Sequence, residues 1–188
     1  PLADECCAAE SEIQAKHVSI VVGAESSEAE WKSAELLSDR IRKRSDVSVE
    51  TVSEDEALPD ADATFVLGTF ASNALAKRAA DHLGATLPVL PSTDNEHPEG
   101  FAVKSGVLNG RDFVVVAGTD ARGVLYGVGW ALRAMSYLPE AVVIPAMDAT
   151  EAPAFSLRGG RAVGPGSRAR QHGDLRPQTE EEKLEIRE

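Results

Sequence analysis

The run HVSIVV, residues 17–22, is short, rich in β-branched side chains and closed by Gly23, which predicts a buried strand. The apolar spacing then lengthens. Ser27 with Glu30 three places on is a capping-box pattern, and Trp31, Ala34, Leu37 and Ile41 follow on one stripe above a charged face, predicting an amphipathic helix to about Arg44. Residues 47–52, VSVETV, alternate as a half-exposed strand does. An acidic loop over 54–62 leads to a second buried strand over 64–68, TFVLG. Residues 70–83 are rich in Ala and Leu, with Leu75, Ala79 and Leu83 four apart, predicting a helix that stops at Gly84.

Residues 86–98 hold three prolines and the polar cluster STDNEH, which suits a surface loop. Two strand-like runs, 101–108 and 111–117, flank Asn109-Gly110, the pair that best tolerates the positive φ angles of a two-residue type I′ hairpin. Thr119 or Asp120 then caps a third helix predicted to about Tyr137, with Val124, Val128 and Leu132 on one stripe. Its glycines, Gly123, Gly127 and Gly129, each cost about 1 kcal/mol against Ala and so call for a packing reason, a helix lying close on the sheet. A short strand over 142–144 ends at Pro145. Two strand-helix-strand units, a hairpin and a helix predict an α+β fold, an α/β sandwich of one mixed sheet with helices mainly on one face.

Charge narrows the partners. A formal net charge of -12 repels phosphate backbones and anionic lipid surfaces, so neither nucleic acid nor a membrane is expected as a partner. No apolar run approaches the roughly 18 residues of a membrane helix. The chain begins at Pro1 without a basic or apolar leader, which suggests a processed product, secreted or periplasmic with its signal peptide removed. Cys6 and Cys7 are adjacent in a polar stretch, where a mutual disulfide would be strained, and His17, His82, His97 and His172 stand singly. No metal and no cofactor is expected.

Sequence motifs for catalysis fall short. The best phosphate-loop candidate, GTDARG over 118–123, lacks the following Lys-Ser or Lys-Thr, and the later glycines lie inside the helix instead of in the turn before it. Acidic residues crowd loops and helix faces, as at 54–56 and 180–182, and no G-x-S-x-G elbow occurs. Catalytic residues within the chain: none. Tyr126 and Trp130, four apart, suit a sugar-stacking platform or, more ordinarily, a packed helix face.

The segment from Gly100 to Arg133, GFAVKSGVLNGRDFVVVAGTDARGVLYGVGWALR, resembles the domain that precedes the catalytic barrel in α-glucuronidases and β-N-acetylhexosaminidases. Gly118, Asp120, Gly123, Tyr126 and Gly127 match that family's strand-end glycine, polar residue and G-x-x-Y-G helix opening, and Pro153, Phe155, Arg158 and Gly159 match its lead into the first barrel strand. The resemblance covers roughly residues 15–159, more weakly in the first half.

It implies a fold like domain 2 of the hexosaminidases, in a glycoside hydrolase acting on carbohydrate polymers or oligosaccharides. The partner is then a TIM barrel in a longer chain, through which the carbohydrate substrate is met, and the present chain is inactive by itself. Residues 160–188 fall far short of the about 250 that such a barrel requires. The hexosaminidase parallel would make Arg158 a substrate-binding residue, gripping a sugar hydroxyl once the barrel is present. Residues 1–14 are then a flexible segment, 15–157 the accessory domain, and 158–188 a linker or the truncated start of the barrel. Two other readings stay open: a free-standing carbohydrate-binding module, with Trp130 or Tyr126 exposed, and a nucleotide-binding α/β domain.

Overall fold

A strand buried on both faces must be apolar at successive positions, and HVSIVV, hydrogen-bonded between two parallel neighbours, meets that demand from Ile20 to Val22 in the computed structural model, which describes residues 12–91 and 95–154. In chain order the described elements are β1 (Ile13–Ala15), β2 (His17–Val22), α1 (Glu28–Arg42), β3 (Ser48–Ser53), β4 (Ala63–Thr69), α2 (Ala74–Leu83), β5 (Phe101–Leu108), β6 (Arg111–Gly118), α3 (Ala121–Ala134), β7 (Ser136–Leu138), β8 (Ala141–Ile144) and β9 (Asp148–Glu151). The six-stranded sheet has the order β3-β2-β4-β6-β5-β9. Its first four strands are parallel, and β5 runs antiparallel to both its neighbours. The fold is α+β with a mixed sheet.

Side-chain alternation divides the core. Ile20, Val22, Phe65, Leu67, Val114 and Val116 face Ala34, Leu37 and Ile41 of α1 and Val124 and Val128 of α3. The opposite parity, Val21, Val66 and Phe113, meets Leu75 and Ala76 of α2, while Val115 and Ala117 meet Ala79 and Ala80. Two helices cover one face and one the other. Phe65, Ile20 and Leu37 are fully buried, each worth roughly 1.5–3 kcal/mol in apolar transfer.

Local chemistry explains the element ends. Gly84 closes α2 at φ 71°, and Asn109 and Gly110 at φ 53° and 76° make the predicted hairpin turn between β5 and β6. Asp120, rather than Thr119, caps α3. Gly123 and Gly127 carry the predicted close approach: a Cβ on Gly123 would lie 2.1 Å from the Gly100 carbonyl oxygen, and one on Gly127 2.6 Å from Val116 Cγ1.

Several expectations are corrected. Gly129 has no packing reason, since the nearest atom to a Cβ there is Arg133 Nη1 at 3.6 Å. Trp31 is 38% exposed and lies off the buried stripe, where Glu30 stands instead. Helix α2 starts at Ala74, not Phe70, because Asn73 supplies the cap. Helix α3 stops at Ala134: Met135 turns to extended backbone, and the next residues form β7, paired with β8. A second sheet, β1-β8-β7, was not anticipated, and its pairing of Ile13 with Ile144 reaches into the segment expected to be flexible. Among the described residues no helix is long and apolar enough to cross a membrane.

Candidate functional site

In an open sheet with parallel strands, ligands favour the crevice beyond the strand C-termini where successive connections part to opposite faces. Here that point lies between β2 and β4. The chain leaves β2 through α1 towards β3 on one face, and leaves β4 through α2 on the other, reaching β6 by way of β5. The residues gathered there are Gly23, Ser27 and Glu30 from the first turn and Thr69, Ser72 and Asn73 from the second.

The protein's own groups fill the crevice. A Cβ on Gly23 would lie 1.9 Å from the Ser72 carbonyl oxygen, so the two turns touch through their backbones. Glu30, at the third position of α1, is 3% exposed. Its Oε2 accepts from the Ser27 amide at 2.7 Å and hydroxyl at 2.8 Å, while its Oε1 accepts from the Thr69 amide at 3.0 Å and from the Ser72 hydroxyl. A carboxylate thus occupies the helix-start position where phosphate-binding folds hold their ligand. Burial pushes the Glu30 pKa up, but the hydrogen bonds from Ser72, Ser27 and Thr69 together outweigh it and hold the group below its ordinary value.

Two further carboxylates on this edge are engaged with backbone. Glu54 accepts from the Ala24 amide at 3.3 Å and from the Leu75 amide at 2.9 Å, tying the end of β2 to the start of α2. Asp120 accepts from the Gly123 amide at 2.8 Å and the Glu99 amide at 2.9 Å. Asn73, fully buried, accepts from the Ala76 amide and donates to the Leu67 carbonyl at 2.9 Å. The edge is built to hold helices to strands.

The G-x-x-Y-G segment is part of the same construction. Gly123 and Gly127 let α3 lie against β5 and β6, and Tyr126 and Trp130 are half-buried against the main core. Trp130 Nε1 donates to Glu151 of β9 at 3.1 Å. The exposed tryptophan is Trp31, which lines a shallow depression of about 360 Å³ with Glu35, Ser38, Asp39, Arg42 and Thr51. Sequence reasoning missed both Glu30 and Trp31. The S-x-x-E spacing contained the signal for Glu30, but it marks a helix start without telling whether the carboxylate is wet or buried.

Arg158, Phe155 and Gly159 lie outside the described residues, as do Cys6, Cys7 and His172; Pro153 lies within them. Among the described residues no three or more His, Cys, Asp or Glu side chains group as metal ligands.

No protein-family model matches the chain, and no curated protein matches it. Solved structures with partial likeness include a family GH115 4-O-methyl-α-glucuronidase with specificity for decorated arabinogalactans, at 19% identity and TM-score 0.43 over 65% of this chain and 14% of that one. A glycoside hydrolase family 20 β-N-acetylglucosaminidase aligns at 17% identity and TM-score 0.43 over 81% of this chain and 23% of its own. A GH138 enzyme targeting pectin rhamnogalacturonan II aligns at 12% identity and TM-score 0.36, over 62% of this chain and 13% of that one. The chain therefore spans less than a quarter of each of these proteins.

Proposed function

We propose that the chain is a non-catalytic accessory domain of a glycoside hydrolase, supporting a catalytic barrel in a longer protein. The observation that carries this reading is the state of the sheet's C-terminal edge, where Glu30, Glu54 and Asp120 are bound by backbone amides. A general acid or nucleophile needs a carboxylate facing substrate, and these three face backbone amides of the protein itself. The hydrolase context rests on the sequence resemblance: the matched G-x-x-Y-G segment holds α3 on the sheet, a supporting role. Purified residues 1–188 are expected to leave aryl glycosides intact; hydrolysis at an enzyme-like rate that survives repurification overturns the proposal. In the longer protein Arg158 grips a substrate hydroxyl, and Arg158→Lys, which keeps charge but loses the fork, raises KM more than it lowers kcat.

A carbohydrate-binding module is favoured by one observation, the exposed ring of Trp31 beside Glu35, Asp39 and Arg42, since sugars stack on aromatic faces while polar groups take their hydroxyls. Oligosaccharide titrations that quench tryptophan emission in the Trp130→Phe variant but not in Trp31→Phe would establish it.

A further inference from the structure

We propose that Arg40, Arg44 and Arg133 form a binding site for a small oxyanion, the carboxylate, phosphate or sulfate group of a small molecule. The three arginines come from the C-terminal ends of α1 and α3, and they line one depression of about 250 Å³ with Leu132, Met135 and Tyr137. No acidic residue lines it. Among the described residues no carboxylate comes within ion-pair distance, 4.0 Å, of any of the three, although the chain holds 31 acidic residues against 19 basic ones. Neighbouring basic residues differ: Lys43 pairs with Asp39 at 3.5 Å, and Arg42 donates to the Val49 carbonyl.

A structural role in balancing helix dipoles accounts for part of this charge. Each helix C-terminus carries about half a negative charge, so two helices offset about one of three positive charges. A local excess of about two remains, and it is partly ordered. The Arg44 guanidinium sits 4.9 Å from the centre of the Tyr137 ring, whose hydroxyl donates to the Leu132 carbonyl at 3.2 Å. Guanidinium forks match oxyanion geometry and form charge-assisted pairs.

The size of the ligand follows from the rest of the charge. A polyanion spreads far beyond the Debye length of about 8 Å and meets the repulsion of a protein at -12, whereas a compact ion meets only the local cluster. The depression is small and shallow, which suits a small molecule and not a folded partner.

The test follows arginine Nε–H signals by NMR in labelled residues 1–188, at constant ionic strength, during titration with inorganic phosphate, sulfate, galacturonate, galactose or a sulfated polysaccharide. Saturable shifts at these arginines with at least one small anion, and none with neutral galactose, are expected. Preference for galacturonate or for phosphate identifies the source. In the Arg40→Gln/Arg133→Gln double variant affinity falls about tenfold or more at unchanged melting temperature. Should that variant fail to fold, Arg44→Lys, which keeps the charge but loses the fork, is expected to weaken binding severalfold. Shifts that stay linear and are matched by chloride, saturable binding that survives the substitutions, or binding of the polysaccharide alone overturns the proposal.

Discussion

A carboxylate taken out of water persists in its charged form only where donors replace the lost hydration, and Glu30 has such donors from two separate turns. Glu30→Gln puts an amide N–H against the Ser27 or Thr69 donors and should cost about 2 kcal/mol in urea unfolding at neutral pH. The folded pKa is depressed, so stabilisation by ionised Glu30 is complete above the ordinary value of 4.5 and is lost as pH falls through the lower folded value. Melting the wild type and Glu30→Gln at pH 7 and pH 3 should therefore show the difference narrowing in acid. Glycine offers a second residue-scale contrast. Gly123→Ala must displace the Gly100 carbonyl, 2.1 Å from the new Cβ, and should destabilise by about 2–4 kcal/mol. Gly129→Ala meets nothing closer than 3.6 Å and should stabilise by about 0.5–1 kcal/mol through helix propensity. Equal effects in paired thermal melts would contradict this account of α3.

At the scale of elements, the helix starts carry the architecture. Asn73 caps α2 and also donates to the Leu67 carbonyl, so Asn73→Ala removes a cap and orphans a buried acceptor. It should lower stability by about 2–3 kcal/mol, read as a lower urea midpoint with unchanged slope. Element identity was largely legible from residues 17–22, from the S-x-x-E start of α1, from Asn109-Gly110 and from Gly84, because each acts through its own backbone. The end of α3 was not. Val124, Val128 and Leu132 set a helical stripe that no proline interrupts before Tyr137, yet residues 136–138 pair with β8, a partner whose position depends on the fold. Strands β1 and β9 are equally hidden, being short, with β9 largely polar, and ordered by strands distant in sequence.

For the whole molecule, the consequence of a filled crevice is that the fold's usual ligand position is not available to a nucleotide. ATP or NAD at about 1 mM should leave the melting temperature unchanged, and a rise of several degrees would show that Glu30 and Ser72 can give way. In sequence, the nucleotide reading lacks a Lys-Ser or Lys-Thr pair after GTDARG. The structure adds a second reason, that a carboxylate already occupies the helix start. The candidate binding surfaces were less legible: Trp31 falls on the apolar stripe in sequence, and Arg40 and Arg44 are separated from Arg133 by one helix and four strands of intervening chain.

Pattern along the chain determined most of the strands and helices and where most of them start, since these arise from residues near one another in sequence, and composition set the acidic balance. Tertiary structure alone decided that Glu30 is buried and Trp31 exposed, that α2 covers the opposite face from α1 and α3, and that three arginines converge away from carboxylates. Burial and charge pairing are properties of what arrives from elsewhere in the chain, and a single helical period cannot distinguish a side chain under a neighbouring turn from one beside it in water.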